Sequence, residues 1–196
     1  MDTDPSAASV YADALAELAP GERVLAAVVA NAPLGVDPPL PPAGDDGPAT
    51  AGTVAGAVAG AILSPPKPGQ GFFWWLLFGR SGRGAATSTA AACRKATLGH
   101  NPLLLVVTDA RLRLYEPRDQ AYFIDEPSLH GRPAGERLLA LWDAPRSEVR
   151  SARVGWHRLH PGRLTVEFTD GSWVSFASLL HLSRRKARTV VTALEE

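Results

Sequence analysis

The stretch Arg163-Leu-Thr-Val-Glu-Phe-Thr-Asp-Gly-Ser-Trp-Val-Ser-Phe176 decides the fold. Apolar and polar residues alternate on both sides of Asp170-Gly171, and this alternation predicts two strands. Asp-Gly is among the strongest hairpin signals, because glycine takes the positive φ that a type I′ turn requires. Helical spacing of apolar residues follows from 179 to 194. The last part of the sequence therefore predicts an antiparallel hairpin followed by one amphipathic helix.

Five further segments upstream of the hairpin have the composition of strands. They are residues 22–30, 103–108, 111–115, 138–142 and 148–156. In the last of these segments the apolar side chain stands at an odd position at Val149 but at an even position at Val154. This switch in parity predicts a β-bulge. Together with the hairpin, these segments give seven strands.

Two helices flank the strands. Asp4-Pro5 is a favourable helix start, and Pro20-Gly21 is a stop, so a helix is expected over 5–19. Its apolar stripe is Ala7, Val10, Tyr11, Ala14, Leu15 and Leu18. In the C-terminal helix, expected over 178–195, one face is apolar and the other basic. The apolar face is Leu179, Leu180, Ala187, Val190, Val191 and Leu194, and the basic face is Arg184, Arg185, Lys186 and Arg188.

Residues 31–101 separate the first two strands and contain an unusual aromatic run. The run is Phe72, Phe73, Trp74, Trp75, Leu76, Leu77 and Phe78. One interpretation is an interfacial membrane anchor, since tryptophan favours the headgroup boundary and Lys67, Arg80 and Arg83 could contact anionic lipid. In a second interpretation the run stays within the protein, as a cover over the β-structure or as an additional strand. In a third, it forms a contact between subunits. An Ala-rich stretch over 85–98 predicts a short helix after the run.

Gly52, Gly56 and Gly60 are spaced four residues apart in the same insertion. In a helix this spacing forms a groove where another backbone approaches closely, within the chain or between copies. A flexible Ala/Gly linker is the alternative. A phosphate-binding loop is excluded, because no Gly-Lys-Ser/Thr follows.

The charges cancel over the whole chain but are unevenly distributed. Residues 1–66 contain eight acidic and one basic residue, whereas 67–101 contain five basic residues and no acidic one. A local excess of cations favours an anionic surface, but a neutral protein gives no argument for nucleic acid.

One cysteine, Cys93, rules out an internal disulfide and fits a reducing compartment. The first residues lack the pattern of a secretory signal, and no apolar run reaches the ~20 residues needed to cross a bilayer. We therefore expect a cytoplasmic location.

Candidate reactive groups are few. His157 and His160 lack further ligands at metal-binding spacing, and Cys93 lies beside Arg94 and Lys95 without a base, which favours a buried thiol. No catalytic arrangement of Ser, His and Asp can be assigned. We expect no enzyme activity, no metal and no cofactor.

Four strings in their order along the chain resemble bacterial PH-like and GRAM-like domains of the actinobacterial type. They are Leu-Ala-Pro-Gly-Glu-Arg-Val-Leu at 18–25, Val-Thr-Asp-Ala-Arg-Leu-Arg-Leu at 107–114, Leu-Trp-Asp-Ala-Pro-Arg at 141–146 and Phe-Thr-Asp-Gly at 168–171. The resemblance covers residues 15–30 and 102–196. It implies a single domain over 1–196, with a seven-stranded PH-like antiparallel barrel or roll, strands two to seven over 102–177, and a capping C-terminal helix.

The resemblance also implies a function. In eukaryotic PH domains the loop between strands one and two rims the site for phosphoinositide headgroups, and here that loop is the insertion at 31–101. Lipid-binding PH domains carry several basic residues on strand one, whereas this strand offers only Arg23. The expected function is a non-enzymatic binding or scaffolding module, with a membrane or protein partner and a location at the inner membrane face. The alternative is a structural homo-oligomer with the Gly-rich and aromatic segments packed between subunits.

Overall fold

The computed structural model describes residues 10–31, 80–118, 133–157, 160–176 and 184–196. In these ranges the protein is mainly β, with eight strands and four α-helices. The strands are β1 Val24–Ala30, β2 Gly82–Arg83, β3 Leu103–Thr108, β4 Arg111–Pro117, β5 Leu138–Pro145, β6 Val149–His157, β7 His160–Phe168 and β8 Trp173–Phe176. The helices are α1 Ala12–Leu18, α2 Thr89–Thr97, α3 Ala134–Arg137 and α4 Arg184–Glu195, with a 3-10 turn at Arg146–Glu148.

The strands form two antiparallel four-stranded sheets. The first has the order β1-β3-β4-β5 and the second the order β2-β8-β7-β6. All seven predicted strands are present, and β2 is an addition from the end of the insertion. No strand pairing joins the two sheets in the described ranges, so the observed arrangement is a pair of sheets, and the predicted closed barrel is not confirmed.

The Asp170-Gly171 hairpin has one more loop residue than the sequence predicts. Gly171 has φ +77°, as expected. However, its N–H donates to the Phe168 carbonyl at 3.0 Å, and the Phe168 N–H donates to the Ser172 carbonyl at 2.8 Å. Three residues therefore lie between the closing pair, as in hairpins that place a left-handed glycine after a β-turn. The predicted positive φ of Gly171 is confirmed, and the predicted two-residue type I′ turn is wrong.

The bulge predicted in β6 is confirmed. Val149 pairs with Phe168 and Ser151 pairs with Glu167, so Arg150 is an extra residue on this strand. The extra residue changes which side chains face inward. It explains the switch in apolar parity between Val149 and Val154.

The main core lies between the two sheets. Alternate residues of β7 and β8 point into it and are fully buried, as the hairpin sequence predicts. They are Leu164, Val166, Phe168, Val174 and Phe176. The Trp142 ring of the first sheet meets the Phe168 ring of the second edge-on, with centroids 5.9 Å apart. The two sheets thus pack face to face around one hydrophobic core.

The outer face of the first sheet is also buried, beneath α1 and α3. Tyr11, the N-cap residue of α1, and Leu15 within the helix form a second apolar cluster with Val29, Leu104 and Val106. Burial on both faces explains why β1 and β3 have nearly continuous apolar sequences, whereas the strands of the second sheet alternate.

Arg137 holds α1 against this face. Its side chain is fully buried, and its Nη1 donates to both carboxylate oxygens of Asp13 at 2.8 and 2.9 Å. Its Nη2 donates to the Val10 carbonyl, and its guanidinium lies 5.4 Å from the Tyr11 ring centroid. Partial burial acts to raise the pKa of the Asp13 carboxyl, but hydrogen bonds from Ala14 and Arg137 outweigh it and lower the pKa.

Helix α4 closes one open side of the sheet pair. It packs against β1 and β3 of the first sheet and against β6 and β7 of the second. Ala187, Val190 and Ala193 are buried, while Arg184 and Arg188 are exposed, as predicted. Leu179 and Leu180, which the sequence assigns to the same apolar face, lie outside the described residues.

Candidate interaction site

The structure describes two of the residues that the sequence assigns to a membrane or partner contact, Arg80 and Arg83. Both are exposed. The others lie outside the described residues, namely Lys67, Phe72, Phe73, Trp74, Trp75, Leu76, Leu77 and Phe78, together with Gly52, Gly56 and Gly60. Their roles stay predictions.

Strand β2 attaches the end of the insertion to the second sheet. Gly82 pairs with Val174 and Arg83 pairs with Trp173. The Ser175 N–H also donates to the Ser81 carbonyl at 2.8 Å. Arg80 and Arg83 are consequently held at the edge of a folded sheet rather than on a free linker.

Gly82 is required where β2 passes between β8 and α2. A Cβ atom at this position would lie 2.9 Å from Arg94 Cδ and 2.9 Å from the Trp173 carbonyl oxygen. The second contact is with backbone, which cannot move aside as a flexible side chain can. The sequence therefore places a glycine where β2 passes close to the backbone of β8.

Helix α2 begins on the β7–β8 hairpin. The Thr89 N–H donates to Asp170 Oδ2 at 2.8 Å, and the Ala90 N–H donates to Ser172 Oγ at 3.1 Å. The local N-cap, Ser88, accepts a hydrogen bond from the Ala91 N–H at 3.3 Å. Three amides of the first turn, which a helix cannot satisfy internally, are thus satisfied by side chains, two of them from a distant hairpin.

The environment of Asp170 favours its charged form. Partial burial acts to raise its pKa, but hydrogen bonds from Ser172 and Thr89 outweigh that effect and lower the pKa. A groove of about 610 Å³ lies beside this carboxylate, between Arg83, Thr87 and Ser172. Because Asp170 and Ser172 already occupy the amides at the helix end, the groove offers no vacant anion site there.

The buried face of α2 closes the second open side of the sheet pair. The helix packs against β5 of the first sheet and against β2 and β8 of the second. Ala90 and Cys93 belong to the shared core. Cys93 is fully buried, and burial raises the pKa of its thiol despite the opposing effect of Arg94. The prediction of a buried thiol is confirmed.

A charged cluster beside the β3–β4 turn of the first sheet was not predicted. Glu22 accepts hydrogen bonds from Thr108 Oγ1 at 2.7 Å and from Arg113 Nη2 at 2.6 Å. Burial acts to raise the pKa of Glu22, but these hydrogen bonds outweigh it and lower the pKa. Arg111 lies close to Glu22 and pairs with Asp143. The cluster joins the start of β1 to the β3–β4 hairpin, which is a structural role.

Neither a cluster of metal-binding side chains nor a membrane-spanning helix is found in the described parts of the chain. No group of three His, Cys, Asp or Glu side chains in those ranges could hold a metal ion. His157 and His160 pair across β6 and β7. No helix in the described ranges has the length and apolar character needed to cross a membrane.

Comparisons with known proteins give no match, whether with a family model, a curated protein or a solved structure.

Proposed function

We propose that this protein is a PH-like binding or scaffolding module that presents its insertion to an anionic membrane surface. The observation that carries the proposal is the attachment of residues 80–101 to the second sheet by β2 and α2. Arg80 and Arg83, which follow the aromatic run in sequence, therefore lie at the edge of the folded scaffold. Catalysis is not proposed, since the one buried thiol and the charged clusters have structural partners.

The order of elements supports a PH-like scaffold. Without β2, which belongs to the insertion, the chain forms four consecutive strands of one sheet, three of a second, and then α4. Helix α4 packs across both sheets, as the C-terminal helix of a PH-like domain is expected to do. The insertion then occupies the loop between the first two strands of the scaffold.

The position of Arg80 and Arg83 supports a membrane contact. Phe78 precedes Arg80 by two residues, so their Cα atoms are at most about 7 Å apart. Each exposed cation near an anionic surface contributes about 1 kcal/mol, and each large apolar side chain removed from water contributes about 1.5–3 kcal/mol. An aromatic run next to fixed cations combines these two contributions.

Co-sedimentation of the full chain with vesicles tests this proposal. Binding to vesicles that contain anionic phospholipid is expected, with much weaker binding to purely zwitterionic vesicles. The double variant Trp74→Ser/Trp75→Ser should abolish binding, and Arg80→Ala/Arg83→Ala should weaken it roughly thirtyfold. The matched control is Arg184→Ala/Arg185→Ala, which removes two exposed cations of α4 and should leave binding unchanged.

Two other results would reject the membrane contact. If vesicles do not bind, and the chain forms a multimer that the Trp74→Ser/Trp75→Ser variant dissociates, the aromatic run and the Gly-spaced segment act between subunits. If vesicles do not bind and the chain is monomeric, the run covers the protein's own core. Light scattering on the same samples distinguishes these two results.

A further inference from the structure

We infer that α2 is a releasable closure, which separates from the β-core together with β2 while the two sheets and α4 remain folded. The open form would expose the side of the shared core between β5 and β8. The protein would then present an apolar surface in one conformation and cover it in the other. This inference does not depend on membrane binding.

The buried face of α2 contains only small side chains. They are Ala90, Ala91, Cys93 and Thr97. Two of these four also belong to the main core cluster, and neither has more than one heavy atom beyond Cβ. By contrast, α4 contributes Val190 to the core, with Val191 and Leu194 packed against it. The side chains of α2 itself therefore contribute less apolar burial against the sheets than those of α4 do, which favours earlier separation of α2.

Hydrogen bonds to one hairpin hold the start of α2. Asp170 and Ser172 accept from the Thr89 and Ala90 amides, and the bond to Asp170 is exposed. Strand β2 adds a ladder of two residue pairs, and the Ser81 carbonyl before it accepts from the Ser175 N–H and hydroxyl. All of these partners belong to the β7–β8 turn or to β8, so the contacts can be lost together while β7 and the first sheet keep their strand pairing.

Cys93 provides a direct measure of the open form. It is the single cysteine of the chain, and it is fully buried against the core. A thiol reagent such as DTNB can react with it only after α2 moves away. The rate of labelling of the native full chain therefore reports the population of the open form, while tryptophan fluorescence in urea reports global unfolding.

Two substitutions separate local opening from global unfolding. Ser172→Ala removes a contact present only in the closed form, so labelling should accelerate roughly fivefold. Val190→Ala weakens α4, which stays folded in both the closed and open forms. It should lower the urea midpoint of global unfolding without changing the labelling rate. Thr169→Ala, an exposed position of the same hairpin, is the matched control and should change neither quantity.

The opposite pattern would overturn the inference. If Val190→Ala accelerates labelling by the factor that its loss of global stability requires, Cys93 is exposed only when the whole domain unfolds. The urea dependence of labelling in the unsubstituted protein gives a second readout, which does not rely on any variant folding. A shallow dependence at low urea supports local opening, and a dependence as steep as that of global unfolding contradicts it.

Discussion

Helices α4 and α2 each close one of the two open sides of the sheet pair, but different contacts hold them there. Helix α4 buries Val190 and packs Val191 and Leu194 against the core. Helix α2 buries alanine, cysteine and threonine and relies on caps from the β7–β8 hairpin. Burial is worth about 0.8 kcal/mol per CH₂ group, so the larger side chains of α4 contribute more. Two helices that close the same core can therefore differ in how readily they separate from it.

The largest expected difference comes from placing a carboxylate on each buried helix face. Val190→Asp should destabilise the domain by at least ~4 kcal/mol, because an unpaired charge enters the core. Cys93→Asp should instead detach α2 from the sheets and leave the sheets folded. The sheets and α4 should then still unfold cooperatively in urea. Circular dichroism and urea titration measure both effects. The exposed Thr192→Asp is the control, and complete unfolding of the Cys93→Asp variant would remove the distinction between the two helices.

Helix α1 provides a third kind of attachment and the next largest effect. Asp13→Ala leaves the buried Arg137 without its carboxylate, and we expect a loss of about 2 kcal/mol. This value lies below that of a fully buried pair, because the Asp13 side chain is 58% exposed. Arg137→Met should cost less, since the remaining Asp13 is solvated. Urea titration of both variants checks the order, and an equal or larger loss for Arg137→Met would contradict it.

The N-cap of α2 should have a smaller effect on global stability. Ser88 accepts from the Ala91 amide and donates to the Ala85 carbonyl. Ser88→Ala should therefore reduce the free energy of unfolding by about 1 kcal/mol. Thr87→Ala, at the exposed neighbouring position, should have almost no effect. Equal values for the two variants, measured by urea titration, would show that the cap does not stabilise α2.

The pH dependence should be the smallest effect. The folded-state pKa of Asp170 is lowered, so its hydrogen bonds to α2 stabilise the protein above the unfolded-state pKa near ~4. This contribution is lost as the pH falls through the lower folded-state pKa. Asp170→Asn should flatten part of the acid limb of stability against pH, and Asp13 and Glu22, whose pKa values are also lowered, should contribute to the part that remains. Thermal melts from pH 6 to about pH 2.5 compare the two proteins, and superimposable profiles would exclude Asp170 as a contributor.

The alternating strands and α4 could be predicted because each has one buried face and a regular period. The Leu164, Val166 and Phe168 series is an example, and even the bulge at Arg150 is visible in the parity switch. The additional strand β2 could not be predicted. This strand has only two residues, Gly82 and Arg83, and is too short to show a periodic sequence pattern. Its pairing depends entirely on the free edge of β8.

Contacts between segments that are distant in the chain also could not be predicted from the sequence. Arg137 lies in a polar stretch with no pattern that distinguishes a buried arginine from an exposed one, and only the docking of α1 buries it. Asp170 was identified as a turn residue, but its second role, as a cap for α2, joins positions 81 residues apart. Of the predicted contact residues, Arg80 and Arg83 are exposed, as a surface role requires. The roles of Trp74, Trp75 and the rest of the aromatic run stay predictions.

Hydrogen exchange of individual amides in the native protein tests most directly whether α2 is an attachment to a core formed by the sheets and α4. The amides of Cys93 to Thr97 should exchange through an opening with a distinctly lower free energy than those of Val166 and Ala193. That lower free energy should vary little with dilute urea. Equal protection of all three regions, with the same urea dependence, would show that α2 and the core unfold as one unit and would contradict the account.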